Sequence, residues 1–197
     1  MKQCDGNSVG VVLRAPDGRI LMITRNLAPS GIAPIAGHVC DEIPTLTHLG
    51  AAIVETQEEV GLTVWPEDLA LIYARDLPNR CRRIPAPSLS HDWRVFSATR
   101  WTGELTPSER ETRGARWYEL AEVQALAERT VAYAHGDVTE QEWQAEPGLE
   151  PVWCDIFETI PKRVSLWDDM TDTIVRLPYS DIAAVQKLYT VAPAGGK

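Results

Sequence analysis

Residues 37–62 read GHVCDEIPTLTHLGAAIVETQEEVGL, and the second half of this stretch has the pattern of one helix. The spacing predicts a helix from about Thr47 to Val60, and Gly61 follows as a stop signal. At about 100° per residue, the apolar positions fall on one face of this helix. Three acidic residues at i, i+3 and i+4 fall together on another face: Glu55, Glu58 and Glu59.

Adjacent carboxylates repel one another, and like charges at this spacing destabilise a helix. A solvated surface is the simplest interpretation of an acid-rich face, but it gives no reason for the clustering. A hard divalent cation does give a reason, because Mg²⁺ and Mn²⁺ prefer oxygen ligands and keep water positions that a phosphate can occupy. The helix therefore predicts a candidate site for Mg²⁺ or Mn²⁺.

The glycine turn before the helix and the run Glu-Glu-Val-Gly-Leu that closes it together resemble the signature of the Nudix hydrolases. In that signature a glycine, a glutamate and the run Arg-Glu-apolar-any-Glu-Glu-any-Gly-apolar stand at fixed spacing. Gly37 matches the first glycine, and Gly61 and Leu62 match the closing pair. The three metal-site glutamates of the family match Glu55, Glu58 and Glu59.

The match departs from the family pattern in three ways. The segment from the first to the last glycine is three residues longer, so the loop before the helix carries an insertion. Val54 stands where the family has arginine, and Leu46 where it has its first glutamate. Because both members of that structural pair are missing, no charge is left unpaired. Glu42 lies near the distance from Gly37 at which the family has this glutamate, without a unique alignment.

The resemblance implies an α+β fold, a Nudix-like α/β/α sandwich with a mixed sheet. Two apolar runs at 8–14 and 20–25 flank Pro16-Asp17-Gly18 and predict a hairpin before the motif. We expect the Nudix-like domain to span residues 1–135. Residues 136–197 are expected to form a helical extension that packs on the core or on a partner subunit.

The remaining elements follow from periodicity and turn signals. Strands are predicted at 32–39, 69–75, 91–99 and 115–118, and helices at 119–134, 137–145, 150–160 and 181–190. The resemblance also implies a chemistry: divalent-metal-dependent hydrolysis of the pyrophosphate bond in a nucleoside diphosphate linked to another moiety.

The implied cofactor is Mg²⁺ (or Mn²⁺). The resemblance implies that the metal is held by Glu55, Glu58, Glu59 and the backbone carbonyl of Gly37. A carboxylate that the metal does not fully use would take a proton from the attacking water. Glu55 and two acids of the polar loop after residue 106, Glu109 and Glu111, are candidates. We take Glu111 with the three glutamates as the catalytic set, although the sequence does not distinguish it from Glu109.

Arg80, Arg82 and Arg83 form a compact basic cluster on an otherwise acidic chain, in a stretch with three prolines. A solvated surface loop is one interpretation. The other is a substrate-binding clamp, because guanidinium groups match phosphate oxygens.

Composition limits the partners. A net charge of −9 and a pI near 4.9 argue against nonspecific binding to nucleic acid or anionic membranes. No apolar run reaches the length of a membrane span and no signal-peptide core is present, so a cytoplasmic location is expected. The four cysteines include no Cys-x-x-Cys pair. Their spacing therefore predicts free, scattered thiols rather than a zinc site, and a site that draws cysteine and histidine from distant segments is the alternative.

Two alternatives to a hydrolase stay open. A non-catalytic Nudix-fold module would bind a nucleotide-type ligand without cleaving it, which the changed positions Val54 and Leu46 favour. A carbon–carbon double-bond isomerase on the same fold needs a catalytic cysteine, and Cys40 near the motif offers no clear match. The expected partner is a small nucleotide-type substrate, and a homodimer is compatible with the resemblance.

Overall fold

The computed structural model describes residues 4–26, 30–40, 46–78, 90–160 and 174–190. The described residues form seven strands: β1 (Asn7–Leu13), β2 (Ile20–Arg25), β3 (Ile32–Ala33), β4 (Ile35–His38), β5 (Ala70–Pro78), β6 (Ser90–Ala98) and β7 (Thr112–Tyr118). The helices are α1 (His48–Val60), α2 (Leu120–His135), α3 (Glu140–Ala145), α4 (Pro151–Thr159) and α5 (Tyr179–Thr190), with a short 3-10 helix at Pro66–Asp68.

The strands form two sheets rather than one. The larger has the order β4-β1-β6-β5, with β1 and β6 parallel and the other pairs antiparallel. The smaller has the antiparallel order β3-β2-β7. The mixed sheet of the sequence prediction is thus present. The predicted hairpin is wrong in its pairing, because β1 and β2 belong to different sheets and only one bridge, Arg14 to Ile20, joins the two sides of the turn.

Helix α1 begins one residue after its predicted start and ends, as predicted, before Gly61. The Thr47 side chain accepts a hydrogen bond from Gly50 N at 3.1 Å and so begins the helix. Gly61 ends it with φ of 73°, a left-handed conformation that disfavours any residue with a Cβ. The two ends of the helix are therefore fixed by local sequence.

The buried side chains form two cores, one on each side of the larger sheet. One core includes the buried face of α1, with Ala51, Ala52 and Val60 packed among residues of β1, β2 and β4. The other includes residues of α2, α4 and α5. Helices thus cover both faces, which gives the α/β/α layering.

Helix α4 and the segment before it contact the strands directly. Trp153 of α4 is fully buried, meets Trp93 of β6 edge to face at 5.9 Å and lies against Gly10 of β1, where a Cβ would overlap its ring. Ile32 N donates to Gly148 O at 2.8 Å, and Glu150 N donates to Ile32 O at 2.8 Å. The segment before α4 therefore pairs with β3.

Helix α3 begins at Glu140, within the stretch 137–145 that was predicted to be helical. Thr139 and Glu142 cap each other reciprocally at its N-terminus. Within the described ranges, every helix is too short or too polar to cross a membrane.

Candidate active site

The end of β4 and the last two turns of α1 meet at Gly37. A Cβ built on this glycine would overlap the carboxyl group of Glu55, so the carboxyl lies directly against the strand backbone. Glu55 is only 8% exposed. The helix acid and the strand end that the sequence predicted to share a metal are therefore in contact.

Glu59, one helical turn later, is 4% exposed and anchors to the same strand. Its Oε2 accepts a hydrogen bond from Ala36 N at 3.1 Å. Burial raises the pKa of Glu59 well above its ordinary value and Glu55 adds to the rise, whereas Arg25 and the Ala36 N–H oppose it. Two acids of the predicted set are thus buried side by side against β4.

Glu58 differs from its two neighbours because its side chain is exposed. Among the described residues, Glu55, Glu58 and Glu59 do not bring three carboxylate oxygens within 4.8 Å of one another. The helical wheel correctly placed the acids on neighbouring positions, but it could not show that the sheet buries Glu55 and Glu59 while Glu58 faces solvent.

Arg25, at the end of β2, is a charged residue of the site that the sequence analysis missed. Its side chain is 21% exposed, and its Nε lies 3.6 Å from Oε2 of Glu150. Burial opposes the charge on Arg25, but the surrounding carboxylates of Glu150, Glu59, Glu55 and Glu111 raise its pKa. A lone arginine at a strand end carries no sequence signal, since its partners are distant in the chain.

The loop before β7 is tied to the C-terminal end of α1. Thr106 N donates to Val60 O and Ser108 N donates to Glu59 O, both at 2.9 Å. These bonds satisfy carbonyls that the last helical turn leaves without a helical partner. The loop and the acidic helix end are therefore held as one unit.

The same loop carries the two candidate bases, and the structure places them differently. The backbone of Glu111 accepts from Asn26 N at 2.9 Å, which sets it beside the end of β2 and Arg25. Its side chain is 23% exposed, and its negative charge contributes to raising the pKa of both Glu59 and Arg25. Arg110 Nε donates to one of its oxygens, Oε1, at 3.1 Å. Glu109 is exposed.

Three predicted substrate-binding residues, Arg80, Arg82 and Arg83, lie outside the described residues, as does Glu42. The substrate clamp stays a prediction.

The residues present fit a hard divalent cation. Their donors are oxygens, namely the carboxylates of Glu55 and Glu59 and the backbone of Gly37, with Glu58 on an exposed side chain free to rotate. Burying like charges together is costly unless an opposite charge accompanies them. Arg25 supplies one positive charge, and a divalent cation would add to it.

Comparison with known protein families gives a match for the sequence of this chain. A model of the NUDIX domain matches residues 5–141. No curated protein matches the chain in sequence.

Solved structures of Nudix-type proteins resemble the chain in fold. Dihydroneopterin triphosphate pyrophosphohydrolase from E. coli is 22% identical, with 64% of this chain and 88% of that one covered and a TM-score of 0.51. A MutT/nudix family protein from Enterococcus faecalis is 18% identical, with coverage of 60% and 45% and a TM-score of 0.47. The matched part of this chain thus spans less than half of the Enterococcus protein. An Ap4A hydrolase from C. elegans is 22% identical, with coverage of 58% and 81% and a TM-score of 0.41.

Proposed function

The chain belongs to the NUDIX domain family, a class of pyrophosphohydrolases, and on that premise we propose that it hydrolyses the pyrophosphate bond of a nucleoside diphosphate linked to another moiety, with Mg²⁺ or Mn²⁺ as cofactor. The observation that carries this proposal is the contact between the Glu55 carboxyl group and Gly37, where a side chain at residue 37 would remove the acid from the strand.

Glu55, Glu58, Glu59 and the Gly37 carbonyl are the residues that would hold the cation. When bound, the cation neutralises phosphate oxygens and acidifies a water molecule. The exposed Glu58 side chain would complete the ligand set by a change of rotamer towards its buried neighbours.

Glu111 is the proposed general base. The proposal is supported by the proximity of its charge to Arg25 and by the bonds that join the same loop to Glu59 O and Val60 O. Because Arg110 holds Oε1, the other oxygen, Oε2, is the proposed proton acceptor. Arg25 stabilises the negative charge of this group of acids.

The substrate is proposed to be a small nucleotide-type molecule. The net charge of −9 disfavours long polyanions such as nucleic acid, whereas a local site can still bind one nucleotide through its metal. Arg80, Arg82 and Arg83 are proposed to bind its phosphates. A cytoplasmic location and a homodimer belong to the same proposal, and sedimentation velocity tests the dimer.

The test is product release from a panel of nucleoside triphosphates, dinucleoside polyphosphates, ADP-ribose, NADH and nucleotide sugars, with Mg²⁺, Mn²⁺ or EDTA. We expect metal-dependent release that a Glu58→Gln, Glu59→Gln double variant loses. Binding of one substrate without turnover, in the presence of either metal, would replace the hydrolase by a nucleotide-binding module. Two features favour this second function. Val54 stands where the family has arginine, and the Glu58 side chain is exposed whereas Glu55 and Glu59 are buried.

Substitution of Glu111, with Glu109 as the matched control, tests the proposed general base. Glu111→Gln should lower kcat by roughly 10²- to 10⁴-fold, the usual contribution of a general base, with KM little changed. Glu109→Gln, in the same loop but exposed, should leave kcat close to the wild-type value. Equal effects of the two substitutions would remove Glu111 from the mechanism.

A further inference from the structure

A second cluster of ligand-type side chains lies on the larger sheet, and it contains no carboxylate. Cys4 precedes β1, His38 ends β4 and His91 stands near the start of β6. The register explains the convergence, because Ser8 of β1 is opposite His38 on one side and opposite Trp93 on the other. Residues that are far apart in the chain therefore meet at one end of three adjacent strands.

The three ligand atoms lie close together. Cys4 Sγ is 3.0 Å from His91 Nε2 and 4.0 Å from His38 Nε2, and one ligand atom from each of the three residues lies within 4.8 Å of the other two. A tetrahedral zinc ion with Zn–S of about 2.3 Å and Zn–N of about 2.0–2.1 Å holds such atoms roughly 3.4–3.6 Å apart. Changes of about half an ångström in the two cysteine–histidine distances would bring them to the values of that geometry.

A hydrogen bond outside the cluster orients one imidazole. Ser8 Oγ lies 2.8 Å from His91 Nδ1, and Ser8, Cys4 and His91 are all at most 3% exposed. When Ser8 Oγ accepts the Nδ1 hydrogen, Nε2 directs its lone pair towards the cysteine. Zinc-binding histidines usually have such a partner on their second nitrogen, and it fixes both ring orientation and tautomer.

The donor set selects the metal. One thiolate and two imidazoles suit borderline ions such as Zn²⁺, whereas Mg²⁺ prefers oxygen. We propose that Cys4, His38 and His91 bind one Zn²⁺-class ion, with a fourth ligand such as water, at a site chemically distinct from the acidic site. This ion would tie the segment before β1 to the ends of β4 and β6. Because His38 follows Gly37, it would also fix the strand end that lies against Glu55.

The alternative for the same atoms is a thiol–imidazole hydrogen bond in a packed core, without metal. The metal site and the metal-free hydrogen bond predict different stabilities as well as different metal contents. Since a metal that binds only the folded state stabilises it, Zn²⁺ bound at this site should raise the melting temperature, and the part of the rise that depends on Cys4 reports the site.

The experiment uses the full chain, stripped with a zinc chelator and then titrated with Zn²⁺ or Co²⁺. We expect one tight Zn²⁺ per chain by elemental analysis, and a Co²⁺ form with a thiolate-to-cobalt charge-transfer band and tetrahedral d–d bands. Cys4→Ser should lose the charge-transfer band and the thermal stabilisation. Cys154→Ser, which removes a buried thiol elsewhere, should keep both.

Two further variants test the hydrogen-bond partner of His91 and the independence of this site from the acidic site. Ser8→Ala preserves the three ligands and should weaken Zn²⁺ binding roughly 10- to 100-fold, the usual effect of losing such a partner. Glu55→Gln with Glu59→Gln removes the acidic site and should leave Zn²⁺ stoichiometry unchanged. Wild-type protein that gives only octahedral Co²⁺ spectra, or tight Zn²⁺ that survives Cys4→Ser, would overturn the proposal. These readouts do not depend on pyrophosphate hydrolysis.

Discussion

Replacement of Gly37 by alanine tests the acidic site at its most constrained point. Gly37 is not among the described glycines with positive φ, so alanine adds no backbone strain there. Its Cβ would instead overlap the Glu55 carboxyl group. The substitution therefore probes one contact, between strand and acid.

The structure indicates which of the two groups would move. Gly37 pairs with Val9 of β1, and the preceding Ala36 is bonded to Glu59, so the strand is held from both sides. Glu55 must then rotate away from the strand. Loss of ligand orientation typically weakens metal binding roughly 10- to 100-fold, which is about 1.4–2.8 kcal/mol.

The assay is titration with Mn²⁺ followed by electron paramagnetic resonance, with circular dichroism as the control for folding. If the effect acts through Glu55, the Gly37→Ala substitution should add little in a Glu55→Gln background, because the two changes remove the same interaction. Unchanged Mn²⁺ affinity in the single variant, or full additivity in the double variant, would refute the reasoning.

Three other predictions concern the C-terminal part of the chain. Trp153→Ala should lower the free energy of unfolding by about 3–5 kcal/mol in urea melts, because it empties a fully buried site, and a loss below 1 kcal/mol would contradict that packing. Burial raises the pKa of the Cys154 thiol to about 12, so alkylation at mildly alkaline pH should be slow in native protein and fast in urea; equal rates would contradict its burial. Burial raises the pKa of Glu150 against the attraction of Arg25, so its stabilising contribution is complete below the ordinary pKa of 4.5 and is lost as pH rises through the folded pKa. The unfolding free energy of wild type relative to Glu150→Gln should therefore fall with pH above about 4.5, and parallel urea-melt profiles would contradict this.

The elements that the sequence predicted well are those with local signals. Helix α1 was expected at Thr47 to Val60 and occupies His48–Val60 with Thr47 as its cap, and β2 has its expected limits. A cap, a glycine stop and an apolar period all lie within the segment itself. That Glu55 and Gly37 belong to one site was implied by the family motif rather than by these signals.

What the sequence could not supply depends on distant partners. The turn at Pro16–Gly18 predicted a hairpin, but β1 pairs with β4 and β6, whereas β2 pairs with β3 and β7. The neighbours of Arg25 and the convergence of Cys4 with two histidines likewise depend on strand register, which spacing in one sequence does not encode.

The pairing of Ile32 with the segment before α4 has a consequence for how the chain folds while it is being synthesised. Strand β3 emerges early, yet the backbone groups that cover its edge, at Gly148 and Glu150, are synthesised much later. Contacts of such sequence separation form slowly, and an uncovered edge can pair with another chain. Covering this edge of β3 therefore has to wait for residues that lie beyond 5–141, the range that the family model matches.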